Sequence, residues 1–221
     1  MQPHGFARHS TFEVAAERAD KATLMLKASA KTRESFPFEF FFSITYALQR
    51  TTLTTTIEIG NLDSRDMPFG FGFHPAFVWP LPGGEGRRHY LKLENTDEPR
   101  FLQLDGSGLI LPEAHDSPFV QGEMTLAHEQ FANDALLFPF GVGSGIRFAA
   151  EGGSSVDLSW SNLPNFAVWQ KPGAPYLCLE PWHGMAARKG AGDAMAARPS
   201  TVTLPPNGIA KFELKATFNR G

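Results

Sequence analysis

Between residues 38 and 48 every second position is apolar: Phe38, Phe40, Phe42, Ile44, Tyr46 and Leu48 share one parity. A repeat of two is that of a strand with one buried face. Gln49-Arg50 makes a polar turn, and Leu53, Thr55, Ile57 and Ile59 then alternate again, so residues 36–61 predict an antiparallel hairpin. Upstream, residues 11–17 and 23–28 read as two short strands about the turn Arg18-Ala19-Asp20-Lys21, and residues 31–35 read as a loop. Downstream, strands are predicted at 90–94, 107–111, 135–138, 146–149, 155–160, 166–170, 176–180 and 209–218. One helical turn is predicted within residues 126–133. Residues 80–86 carry too much glycine and proline for regular structure, and residues 185–199, rich in alanine and glycine, read as a surface loop. About a dozen short strands with frequent turns predict an all-β fold, a large antiparallel β-sandwich. No repeat or linker divides the chain, so residues 1–221 are expected to form one domain.

Two stretches break the alternation. Residues 67–80, MPFGFGFHPAFVWP, set His74 among aromatic rings. Such an imidazole is either a hydrogen-bonded core histidine or a working one. Pro75 biases His74 towards extended backbone, as at the end of a strand, and Gly70 and Gly72 permit close approach to the chain. Phe77 and Trp79 offer the flat apolar surface that lines small-molecule sites. Residues 176–184, YLCLEPWHG, end an apolar run in Glu180. Carboxylates are rarely buried without a partner or a purpose. Glu180 is therefore a rim acid paired with an arginine, or a general base whose pKa Trp182 and Trp169 raise by excluding water. His4 and Arg8 lie at an end that commonly frays, and Asp134 stands where a loop becomes a strand, a usual place for a turn residue.

Composition narrows the field. Twenty phenylalanines beside 21 glycines and 17 prolines favour β-structure with many turns. A net charge of −3 without any basic stripe argues against nucleic-acid or acidic-membrane partners. One cysteine, Cys178, excludes an internal disulfide framework and fits a reducing compartment. The first residues lack the apolar core of a signal peptide and no run is long enough to span a bilayer, so a cytoplasmic protein is expected. Two histidines at ligand spacing with a third ligand nearby are missing, so no metal is expected. A Gly-x-Ser-x-Gly elbow and a phosphate-cradling glycine loop are missing too. Cys178, inside an apolar strand, is a poor nucleophile.

Five segments, HGFAR at residues 4–8, FPFEF at 36–40, MPFGFGFHPAF at 67–77, FANDALLF at 131–138 and LCLEPWHG at 177–184, stand in the order seen in the aldose 1-epimerase (galactose mutarotase-like) family. The chain resembles a bacterial branch of that family over nearly its whole length. The resemblance implies a large antiparallel β-sandwich and interconversion of the α and β anomers of a free aldohexose, with no cofactor. It implies His74 as general acid, Glu180 as general base, and His4, Arg8 and Asp134 as sugar contacts; Phe77 and Trp182, as flat apolar rings beside these groups, are expected to line the site. Family members usually carry further strands before the HGFAR segment. The sequence begins three residues upstream of that segment, as in a shortened homologue, a chain with a mis-assigned start or a partial chain. If the strands are missing, an uncovered edge or face and a homodimer that covers it are expected. Three other activities fit parts of the pattern. Glu180 with Asp134 would suit a glycosidase. A sugar-binding module without catalysis would use the same rings, and a hexose-6-phosphate mutarotase would draw on Arg33, Arg87 and Arg88.

Overall fold

The computed structural model describes residues 4–192 and 194–221. The alternating segments form strands β1 (Glu13–Arg18), β2 (Lys21–Lys27), β3 (Phe40–Gln49), β4 (Thr52–Asn61), β5 (Met67–Phe69), β6 (Phe71–Gly72), β7 (Ala76–Val78) and β8 (His89–Leu93). They continue with β9 (Glu123–Thr125), β10 (Leu136–Phe138), β11 (Gly145–Ala150), β12 (Ser155–Ser161), β13 (Asn165–Trp169), β14 (Tyr176–His183), β15 (Val202–Leu204) and β16 (Ile209–Asn219). Nine of them form one antiparallel sheet in the order β1-β2-β3-β4-β16-β12-β11-β8-β9. A smaller sheet runs β10-β13-β14, and β6 and β7 both pair with the far side of β14. The expected all-β antiparallel sandwich is what the chain forms.

The core lies between these two sheets. Phe42, Ile57, Phe212, Leu158 and Phe148 from the large sheet meet Phe138, Phe166, Val168, Leu177 and Leu179 from the small one. Phe138, Phe148, Phe166 and Phe212 are fully buried, each contributing roughly 1.5–3 kcal/mol over an exposed ring. The small sheet is apolar on its outer side as well, where Ala135, Leu137 and Ala167 pack with Ile110 and Met185. Burial on both faces explains why β10, β13 and β14 read as nearly continuous apolar runs rather than alternating ones.

The hairpin β3–β4 pairs as expected, from Phe40 opposite Asn61 to Gln49 opposite Thr52. Its apolar parity is not buried throughout: Phe40 and Phe42 are covered, whereas Tyr46 is 38% and Leu48 55% exposed. Beyond Phe42 the large sheet outruns its cover. A trough of about 350 Å³ opens there, lined by Ile44, Leu53, Phe73, Leu214 and Phe218 among others, with His74 at its rim.

Two expectations are corrected. Residues 31–35 are not all loop, because Ala30–Arg33 form a helical turn in which the Thr32 N–H donates to Ser29 Oγ and the Ser29 N–H donates to Thr32 Oγ1. That reciprocal cap satisfies the donors such a short turn leaves free. Residues 107–111 form no strand; Ile110 makes isolated bridges to Leu104 and Arg188. The predicted turn near residue 130 is present as a 3₁₀ helix, His128–Phe131.

Candidate active site

Two short pairings in one constant register build the centre of the site. Trp182 pairs with Gly72 and His183 with Phe71, while Cys178 pairs with Ala76, Leu177 with Phe77 and Tyr176 with Val78. Between these pairs the Phe73 N–H donates to the Pro181 carbonyl at 3.1 Å, and the Leu179 N–H to the Pro75 carbonyl at 3.2 Å. The register never slips from Phe71 to Val78, so His74 lies directly opposite Glu180. Pro75 has no N–H to give the ladder, which accounts for the gap between β6 and β7. His74 Nδ1 stands 3.3 Å from Glu180 Oε1.

Parity decides what shares their face. Cys178, Glu180 and Trp182 leave β14 on the outer side, and Leu177 and Leu179 turn into the core. On β13, Ala167 is opposite Glu180 and Trp169 opposite Cys178. The carboxylate thus stands among the small residues Ala167, Gly72 and Ala76, with an indole on either side. Trp169 lies edge-on to the His74 ring at 6.0 Å, and the Trp182 indole N–H is near enough to the Glu180 carboxylate to favour its anion. Gly72 is required for that donor, since a Cβ there would overlap the Trp182 indole. Gly72→Ala is expected to displace the indole, costing about 1–3 kcal/mol. It should shift the tryptophan emission and raise KM more than it lowers kcat; unchanged emission would count against the contact.

The amino-terminal segment folds over this face. His4 and Gly5 have φ of 65° and 69°, two left-handed residues in succession, which glycine adopts without strain. Phe6 anchors the segment against Phe36 and Phe40, at 5.6 and 5.7 Å between ring centres. The His4 ring is then 5.1 Å from that of His74. Arg8, in the 3₁₀ turn Ala7–His9, is close enough for its charge to act on both histidines. Asp134 has a φ of 75° and accepts from the Ala135 N–H at 2.8 Å, so it is a turn residue, and its charge also reaches Glu180.

Glu180 is only 3% exposed. Burial pushes its pKa up to about 8, the nearby Trp182 indole N–H opposes this, and the Asp134 charge adds to it. Burial, then the charges of His4 and Arg8, hold His74 below its ordinary 6.5. A neutral imidazole does little to pull the carboxyl back down, so at neutral pH the pair holds one proton between them. Burial and the Glu180 charge push the Cys178 thiol up to about 12.

His74, Glu180, His4, Arg8, Asp134 and Trp182 are thus gathered at one place. Phe77 is not: it belongs to the inner parity with Leu177 and packs in the intersheet core, near Phe218 at 6.3 Å. Its expected place at the site is corrected on that ground. The arginines considered for a phosphate are committed elsewhere, Arg33 to Glu39, Arg88 to Glu123, and Arg87 to the carbonyls of Glu151 and Gly152. Cys178 was expected only as an inert strand residue; its parity with Glu180 was the available signal that it stands beside the pair.

A family model for aldose 1-epimerase matches residues 1–189. Protein LacX of Lactococcus lactis subsp. lactis is 23% identical over 227 residues, spanning 99% of this chain and 75% of LacX. Among solved structures, a galactose mutarotase related enzyme from Lactobacillus acidophilus superposes with a TM-score of 0.89 at 26% identity, over 98% of this chain and 73% of its own. A galactose mutarotase-like protein from Lactobacillus casei gives a TM-score of 0.90 at 25% identity, over 99% and 76%.

Proposed function

The chain belongs to the aldose 1-epimerase family, and on that premise we propose that it interconverts the α and β anomers of a free aldohexose, with Glu180 and His74 exchanging the protons. The observation that carries the proposal is the imidazole and the desolvated carboxyl meeting across one ladder rung at 3.3 Å.

The exchange needs one proton on the pair, no more and no fewer. Burial of Glu180 favours the carboxyl as its resting place, and the 3.3 Å contact makes transfer to His74 a single hop. A sugar hydroxyl donating to Glu180 favours the anion. Glu180 then takes the proton from the anomeric O1–H while the His74 imidazolium gives one to the ring oxygen. The C1–O5 bond breaks, leaving the aldehyde, a neutral imidazole and a carboxylic acid. The aldehyde turns about its bond to C2. On closure His74 takes back the O5 proton and Glu180 returns one to O1, so nothing is consumed. His4 and Asp134 flank the pair and hold the sugar hydroxyls, with Trp182 as a flat wall.

Below the lower pKa both groups are protonated and no base remains; above the upper one no acid remains. The values belong to the coupled pair. kcat/KM is expected to be bell-shaped, with its acid limb below pH 6.5 and its alkaline limb near pH 8. Polarimetry of a freshly dissolved α-aldohexose across pH measures it. A flat profile, or a rate equal to buffer alone, would sink the assignment, and hexose binding without rate enhancement would instead identify a sugar-binding module.

A further inference from the structure

The outer face of β14 carries a third ligating group that anomer exchange leaves idle. Cys178 stands two residues before Glu180, on the same side of the strand, beside the small Ala76. The ligating atoms of His74, Cys178 and Glu180 all lie within 4.8 Å of one another. Around a tetrahedral Zn²⁺, with bonds of ~2.0–2.3 Å, ligand atoms stand ~3.3–3.7 Å apart. Closing to that spacing takes side-chain rotation and no change of register.

We propose that His74, Cys178 and Glu180 form a site for a borderline-soft divalent cation, Zn²⁺ above all, and that the cation and the sugar exclude each other. One imidazole, one thiolate and one carboxylate favour Zn²⁺ over Mg²⁺ or Ca²⁺, which prefer all-oxygen sites. Three protein ligands leave a fourth position for water or for His4, whose ring is 5.1 Å from that of His74. Entry is from the side of His74, which is 35% exposed where Glu180 is 4%. On binding, the thiol proton and the proton held by the His74–Glu180 pair both leave to solvent, and the cation takes their place. Exclusion follows because cation and sugar need the same imidazole and carboxylate. That half of the proposal rests on the anomer-exchange reading; the binding half does not.

The test is titration of the reduced, full-length protein with Co²⁺, followed by displacement with Zn²⁺. The expected result is a thiolate-to-cobalt charge-transfer band beside the visible absorption of a tetrahedral ion. The band should vanish in Cys178→Ser and Cys178→Ala, and Zn²⁺ should displace Co²⁺ at one equivalent. Zn²⁺ should slow anomer exchange by the unmodified protein, and the Cys178 variants should be at least tenfold less sensitive. A wild-type protein without the band, or a folded Cys178→Ser that binds Co²⁺ undiminished, would overturn the proposal. If the Cys178 variants do not fold, His74→Asn takes their place, and unchanged Co²⁺ affinity in it overturns the proposal equally. A metal-free protein that binds Co²⁺ through sulfur yet never accelerates anomer exchange would refute the enzymatic reading and leave the metal site standing.

Discussion

Glu180→Gln is expected to slow anomer exchange by ~10²–10⁴-fold and, at the same time, to make the protein more stable in alkali. The amide keeps the shape and can still accept from the Trp182 indole, but it takes no proton. The stability effect follows from linkage. The carboxyl titrates near 4.5 when unfolded and at about 8 when folded, so the native state holds its proton more tightly. Its contribution is fully present below pH 4.5 and is lost as pH rises through 8. At ~1.4 kcal/mol per pH unit of separation, the buried carboxyl costs on the order of 3 kcal/mol at pH 8 once relaxation is allowed for. In a chain of this length that corresponds to a Tm gain of roughly 5–10 °C for the variant at pH 8, vanishing near pH 4.5. Thermal denaturation at several pH values measures it. A variant as active as the parent would mean that Glu180 is not the base, and one whose stability gain over the parent is no larger at pH 8 than at pH 4.5 would mean that it is not desolvated.

His74→Asn is expected to cost a similar ~10²–10⁴-fold in kcat, with a different signature in pH. Without the imidazole, residual turnover depends on ionised Glu180 alone. The acid limb below pH 6.5 should disappear, and activity should rise through about pH 8 where the wild type falls. The reversal separates an acid catalyst from a residue that merely packs, since loss of packing would lower the profile without inverting it. His74 is partly exposed and is not among the core residues, so the variant should keep its Tm within a few degrees. Polarimetry at pH 6 and pH 9 is sufficient, and an unaltered bell would remove His74 from the chemistry.

The hairpin of residues 36–61 was legible because both strands alternate and a two-residue turn separates them. His74 and Glu180 stood out for a different reason, each being ionisable within an apolar run closed by proline. Their meeting could not be read, because a ladder between residues 71–78 and 176–183 is a long-range pairing that no local period encodes. Phe77 was misplaced although the information was present: it sits three residues from His74, on the opposite parity of one extended segment. Aromatic character outweighed geometry there. The helical turn at Ala30–Arg33 was missed because its cap is Ser29 with Thr32, without the acidic or amide residue that usually marks such a start. The fade in burial along β3 was equally hidden, since Tyr46 and Leu48 carry the same parity signal as Phe40 and depend on what the opposite sheet covers.

The constant pairing along β14 sets which length changes the protein can absorb. Residues can be gained or lost in the loops between Val78 and Tyr176, nearly a hundred positions apart, and Glu180 will still arrive opposite His74. One residue inserted between Gly72 and Ala76 would instead rotate the imidazole to the wrong side of the sheet. Among diverged copies of this sequence, the long intervening region can be plastic while a five-residue window tolerates no indel.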